Sequence, residues 1–116
     1  MRYMCLIYGD EVGFANLSPE EQGKIYAAYG EFEKELAGAA NVKLAGDALK
    51  PPHTATSVRV RNGKVQTTDG PFAETKEQLG GYYIFECKNL DEALKWAAKI
   101  PGAKDGTVEV RPIMEF

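Results

Sequence analysis

Gly80-Gly81-Tyr82-Tyr83-Ile84-Phe85-Glu86-Cys87, followed by Asn89-Leu90-Asp91-Glu92, sets out a strand and then the start of a helix. From Gly80 to Cys87 apolar residues fall on both parities, the mark of a strand covered on both faces rather than one. Asn89 with Glu92 three positions on reads as a capping box. Ala93, Leu94, Ala97 and Ile100 then recur at helical spacing until Pro101-Gly102 stops the helix. A last strand is expected over Thr107–Arg111, with Pro112 marking an edge or the end of ladder pairing.

The N-terminal half has the same grammar. Tyr3, Cys5 and Ile7 lie on one side of a strand, and Met4, Leu6 and Tyr8 on the other, before Gly9-Asp10-Glu11 ends it. Ser18-Pro19-Glu20-Glu21 is a helix start with a cap, a first-turn proline and a closing glutamate. Ile25, Ala28, Tyr29, Phe32, Leu36 and Ala39 form its apolar stripe. Gly23, Gly30 and Gly38 weaken that helix by about 1 kcal/mol each relative to alanine, which close approach to a neighbour would explain. A short strand is expected within Asn41–Leu49, closed by Pro51-Pro52.

Between the halves sits a hairpin: Thr56–Arg61, Asn62-Gly63, Lys64–Asp69. A two-residue loop pairs Val60 with Val65, Val58 with Thr67 and Thr56 with Asp69, and leaves Arg59, Arg61, Lys64, Gln66 and Thr68 on the wet face. Asp69 then shares the apolar face, at its edge, where a carboxylate needs partners or is pushed towards its neutral form.

Two strand–helix–strand units framing a hairpin predict an α+β fold, a ferredoxin-like sandwich in one domain over residues 1–116. Both helices would cover one sheet face. The opposite face is also apolar, and a second copy packed sheet to sheet is the expected cover, giving a homodimer.

Fourteen basic and seventeen acidic residues give a net charge of −3, with no basic run. Nucleic acid is therefore not an expected partner, and neither is an anionic membrane. No stretch approaches a membrane span, and the N-terminal apolar run is too short for a signal peptide, so a cytoplasmic location is expected. Cys5 and Cys87 sit in apolar strands without a CxxC spacing and read as buried hydrophobes.

Asp69 is the first candidate for chemistry, either as a general acid or base or as a turn residue accepting backbone N–H groups. Glu109 and Arg111 should project into the face opposite the helices, where Arg111 could clamp an anion or pair with a carboxylate. His53, the one histidine, lies in the Pro51–Thr54 loop, either a solvated loop residue or a catalytic partner facing Asp69 across the hairpin base. Tyr82 and Tyr83 should fill the core and the interface, or meet a ligand through their hydroxyls. One histidine and scattered carboxylates offer no metal-ligand spacing, so neither metal nor cofactor is expected.

The run Thr68-Asp69-Gly70-Pro71-Phe72-Ala73-Glu74-Thr75-Lys76-Glu77-Gln78-Leu79-Gly80-Gly81-Tyr82-Tyr83 resembles the YCII-related, DGPF-type family. So do the opening Arg2-Tyr3-Met4 and the closing Val108-Glu109-Val110-Arg111-Pro112. The resemblance implies a dimeric α/β-barrel, and gene neighbourhoods shared with alternative sigma factors. One branch of the family resembles dehydrochlorinases that pair a histidine with an acid, and a rough lining-up puts Tyr29 at that histidine's place. Tyr29, with an ordinary pKa near 10, is no equivalent base. The expectation drawn from all this is a pocket for a small polar or anionic molecule near the sheet–sheet interface. Acid–base chemistry of the lyase or isomerase kind would use Asp69 as proton carrier and Arg111, Glu109, Tyr29 and Tyr82 as ligand contacts. The alternative is a non-enzymatic regulatory module acting with a transcription system. A heme- or quinone-handling monooxygenase follows only from fold analogy.

Overall fold

β1 (Arg2–Gly9) runs through the middle of a four-stranded sheet, hydrogen-bonded to β5 (Gln78–Glu86) on one side and to β6 (Thr107–Pro112) on the other. These relationships come from a computed structural model that describes residues 1–116. β2 (Lys43–Ala48) completes the sheet in the order β2-β5-β1-β6, with every neighbouring pair antiparallel. β1 and β2 therefore run parallel with β5 between them, the split βαβ arrangement of ferredoxin-like folds. α2 (Pro19–Gly38) makes the first crossover and α3 (Leu90–Lys99) the second.

The core lies between these helices and one sheet face. Tyr3 and Cys5 of β1 and Tyr83 and Phe85 of β5 meet Phe32 and Leu36 of α2, Ala93 and Ala97 of α3, and Ile100. Alternation along each strand sends these side chains to the same face. Phe85, with no exposed surface, stacks on Tyr83 at 5.4 Å, and Phe32 meets Tyr83 edge-on at 5.5 Å. Burying such a ring stabilises the fold by about 1.5–3 kcal/mol. Trp96 flanks this cluster, whereas Leu94, expected in the stripe, is exposed. Ala93 and Ala97 are the buried side chains of α3, and Trp96 supplies its large side chain against the core.

Both long helices start at the expected caps, the first with a full capping box and the second with only its Asn89 half. Ser18 Oγ accepts the Glu21 amide at 3.1 Å while the Glu21 carboxylate reaches back to the Ser18 amide, and Asn89 Oδ1 accepts the Glu92 amide at 3.0 Å. The glycines of α2 have another setting than expected: nothing lies within 4 Å of where a Cβ would stand on Gly23, Gly30 or Gly38. They face outward, and no close approach accounts for them. A short helix, α1 (Glu11–Ala15), also follows β1, where the sequence reading placed no element. Asp10 caps it by accepting the Gly13 amide at 2.9 Å, and Phe14 packs edge-on against Tyr26 of α2.

The sheet face away from α2 and α3 carries Met4 beside Ile84 and Arg111, and Leu6 beside Tyr82 and Glu109. Pro112 sits on the edge strand as expected, and pairing continues one bond beyond it, from the Ile113 amide to the Arg2 carbonyl at 2.9 Å. Both cysteines are free and buried, and burial pushes the Cys5 thiol up to about 12. No helix is long and apolar enough to cross a membrane.

β3 (Thr56–Arg61) and β4 (Lys64–Asp69) form a separate two-stranded sheet in the expected register, Val60 opposite Val65 and Thr56 opposite Asp69. Asn62 and Gly63 both take positive φ, 53° and 73°, as a type I′ turn requires. The hairpin stands off the body: Val58, Val60 and Val65 remain 61, 58 and 70% exposed. The molecule is accordingly flat, 47 × 45 × 18 Å, with a radius of gyration of 16.0 Å. A compact chain of this length would have about 13 Å.

Candidate functional site

The ladder between β1 and β5 is broken at one point. Ile7 pairs with Gly81 and Tyr8 with Leu79, so Gly80 is the extra residue of a bulge. Bulges re-aim side chains and recur beside functional sites. Here the strand presents two residues without side chains. A Cβ on Gly81 would stand 2.9 Å from the Asp47 carbonyl oxygen, because β2 passes close by. A Cβ on Gly80 would stand 2.7 Å from Cδ of Glu11 and would overlap its carboxylate. The first position of α1 thus seats its carboxyl group in the space that Gly80 leaves free.

That seat changes the acid. Glu11 is half-buried, and loss of water pushes its carboxyl above the usual range, with the charge of Asp10 adding to the effect. Tyr29 of α2 is nearby: its hydroxyl accepts the Gly102 amide at 3.2 Å. Burial raises the phenol, the Gly102 amide opposes that rise, and the Glu11 charge adds to it. Gln78 lies on the same stretch of β5, opposite Gly9, two residues before Glu11. Its Oε1 is buried without a hydrogen-bond partner. An orphaned acceptor costs about 1–3 kcal/mol and calls for an explanation. Glu77, beside it, accepts the Thr107 hydroxyl at 3.1 Å. The end of the sheet therefore gathers acceptors: a carboxyl group, a carboxamide oxygen and a second carboxylate.

The residues singled out from sequence are spread over three places. Tyr29 belongs to the bulge cluster. Asp69 ends β4, opposite Thr56 on the valine face of the hairpin, and is exposed. The turn after it is closed by other groups, Gly70 N–H to the Ala55 carbonyl at 2.7 Å and the Ser57 hydroxyl to the Gly70 carbonyl at 2.9 Å. His53 lies in a 3-10 turn (Pro52–Thr54), exposed, and no hydrogen bond or ion pair links it to Asp69. Glu109 and Arg111 do project from the open sheet face, where they form an ion pair along one strand. Tyr82, also on that face, donates its hydroxyl to Asp47 Oδ2 at 2.8 Å, which raises its phenol pKa.

Glu11, Gln78 and Gly80 were not picked out by sequence reasoning. The available signal was the Gly80-Gly81 pair inside an apolar strand, which marks a bulge or a close approach. No three His, Cys, Asp or Glu side chains converge as a metal cage. A hollow at the end of α2, lined by Glu33, Leu36 and Lys43 among others, has a structural explanation. There Glu33 takes both the Lys43 ammonium at 2.9 Å and the Tyr83 hydroxyl at 2.9 Å.

Two comparisons with known proteins bear on this geometry. The model of the YCII-related domain matches residues 1–116. An uncharacterized protein of Rhizobium meliloti (strain 1021) is 38% identical over 116 residues, covering 97% of this chain and 92% of the relative. With the ferredoxin-like sheet order and a match over its whole length, the chain belongs to the family of YCII-related domain proteins.

Proposed function

We propose that this YCII-related protein binds a small polar molecule at the β1–β5 bulge and uses Glu11 as its proton-transfer group. The observation that carries this reading is the Glu11 carboxyl group seated over Gly80, at the same end of β5 as Gln78, whose side-chain oxygen has no partner. Protonated, Glu11 can donate to a leaving group. Ionised, it can take a proton from carbon or oxygen, so elimination or isomerisation suits it. The surrounding acceptors favour a ligand that presents N–H or O–H groups, and Asp10 and Glu77 disfavour an anion. An anionic ligand would have to be met instead by Arg111, after displacing Glu109.

In this reading the protein works as a homodimer with the open sheet faces, Met4, Leu6 and Ile84 among them, packed together as a dimeric α/β-barrel. Asp69 takes part only through a second subunit, since it lies out on the hairpin. A non-enzymatic binding module would use the same seat without turnover.

The test is a thermal-shift screen of neutral and cationic metabolites on the wild type and on Glu11→Gln. The reading predicts hits whose affinity falls at least tenfold, about 1.4 kcal/mol, in the variant. Hits that bind both proteins equally would overturn it. Proton exchange into a bound hit, absent in the variant, separates an enzyme from a binding module.

A further inference from the structure

The hairpin is built like a buried element but is not buried. Val58, Val60 and Val65 alternate onto one face in the pattern of a covered strand, yet each remains more than half exposed. Its base is braced: Pro51 and Pro52 precede it, and the Gly70–Ala55 and Ser57–Gly70 hydrogen bonds tie its two ends together. The arm is held off its own body, so its valine face needs a surface from elsewhere.

Charge indicates what that surface is. Arg59, Arg61 and Lys64 against Asp69 give the arm a charge of +2, and the chain's net −3 leaves −5 for the rest. None of the three cations forms an ion pair within the chain. A basic arm and an acidic body on one polypeptide are complementary between two copies of it, and a two-fold axis would use both arms at once.

We infer that the Thr56–Asp69 hairpin is a clasp that docks its valine face on a second copy of this chain, with Arg59, Arg61 and Lys64 directed to the partner's acidic body. The long basic side chains can reach around the strand to flanking carboxylates while the valines meet apolar surface. Asp69 shares the valine face, so the same docking carries it into the interface. The clasp goes beyond the proposed sheet-to-sheet contact and uses a different surface.

Sedimentation velocity on the full chain over a concentration series tests it. The valines are exposed in one copy, so Val58→Ser/Val60→Ser/Val65→Ser should keep the fold by circular dichroism and weaken dimerisation at least 100-fold. Reversing charge with Arg59→Glu/Arg61→Glu/Lys64→Glu should weaken it at least tenfold and flatten its salt dependence. Wild-type dimerisation in the serine variant overturns the clasp, as does a wild type that stays monomeric. Ile84→Glu on the open sheet face separates the two surfaces. Loss of dimer there with no effect of the valine changes supports only the sheet contact, and the opposite pattern supports only the clasp. A shift of duplex DNA that is lost on charge reversal and indifferent to the valines would assign the arm to nucleic acid and overturn the proposal.

Discussion

The carboxyl group of Glu11 lies where a side chain on Gly80 would have to be, with Cδ 2.7 Å from that missing Cβ. One residue comes from the start of α1 and the other from a bulge in β5, and each explains the other. The glycine makes room, and the acid fills the room without gaining a compensating cation.

Two neighbouring glycines should therefore respond differently to alanine. In Gly80→Ala the new methyl meets the mobile end of Glu11, which can swing out. Stability should change by no more than about 1 kcal/mol, while any ligand of the bulge is lost. In Gly81→Ala the methyl meets the Asp47 carbonyl of β2, which cannot move alone, and the cost should be about 1–3 kcal/mol. Urea unfolding of both variants measures the contrast, and equal losses would contradict it.

Glu11 should also cost stability at neutral pH. Its folded pKa is raised, chiefly by burial, so folding takes up a proton. Stability then falls as pH rises from the unfolded glutamate value, about 4.3, through the higher folded one. Glu11→Gln removes that slope. The variant should melt higher than the wild type at pH 7, and the gain should vanish below about pH 4. A variant less stable at pH 7 would show that the carboxylate is paired.

The strand and helix order was legible in the sequence because its signals are local. The capping box at Ser18, the Asn62-Gly63 turn and the two-faced apolar runs each fix a short segment, and together they imply a ferredoxin-like sandwich. The hairpin register placed Asp69 on the valine face, as found. What period-2 reasoning could not give was where that face points in space, so Asp69 looked like a group at the rim of the body's own core. The Glu11 seat was hidden for a different reason. It depends on a bulge, which shifts pairing by one residue, and on α1, which is too short to show a periodic stripe.

Removing the Tyr29 hydroxyl tests the other side of the cluster. It accepts the Gly102 amide at 3.2 Å, so Tyr29→Phe should leave that amide unpaired at a cost of about 1–3 kcal/mol. Amide hydrogen exchange at Gly102 should quicken in the variant. Unchanged protection there would mean that the hydroxyl is not its partner.

The cysteines should be inert while the chain is folded. Cys5 has no exposed surface and a thiol pushed up to about 12, and Cys87 is buried and also raised. A thiol-specific reagent at pH 8 should label neither in the native protein and both in urea. Labelling that requires unfolding also reports the core: Phe85→Ala should cost about 3–5 kcal/mol and admit the reagent earlier.

The most direct measurement is the titration of the Glu11 carboxyl carbon by NMR, assigned by its loss in Glu11→Gln. The seat over Gly80 predicts a midpoint above the usual glutamate value, returning towards about 4.3 in Gly80→Ala as the side chain is released into water. A midpoint at or below about 4.3 in the wild type would contradict the account, because the carboxylate would then be fully solvated or paired and not held half-buried among other acceptors.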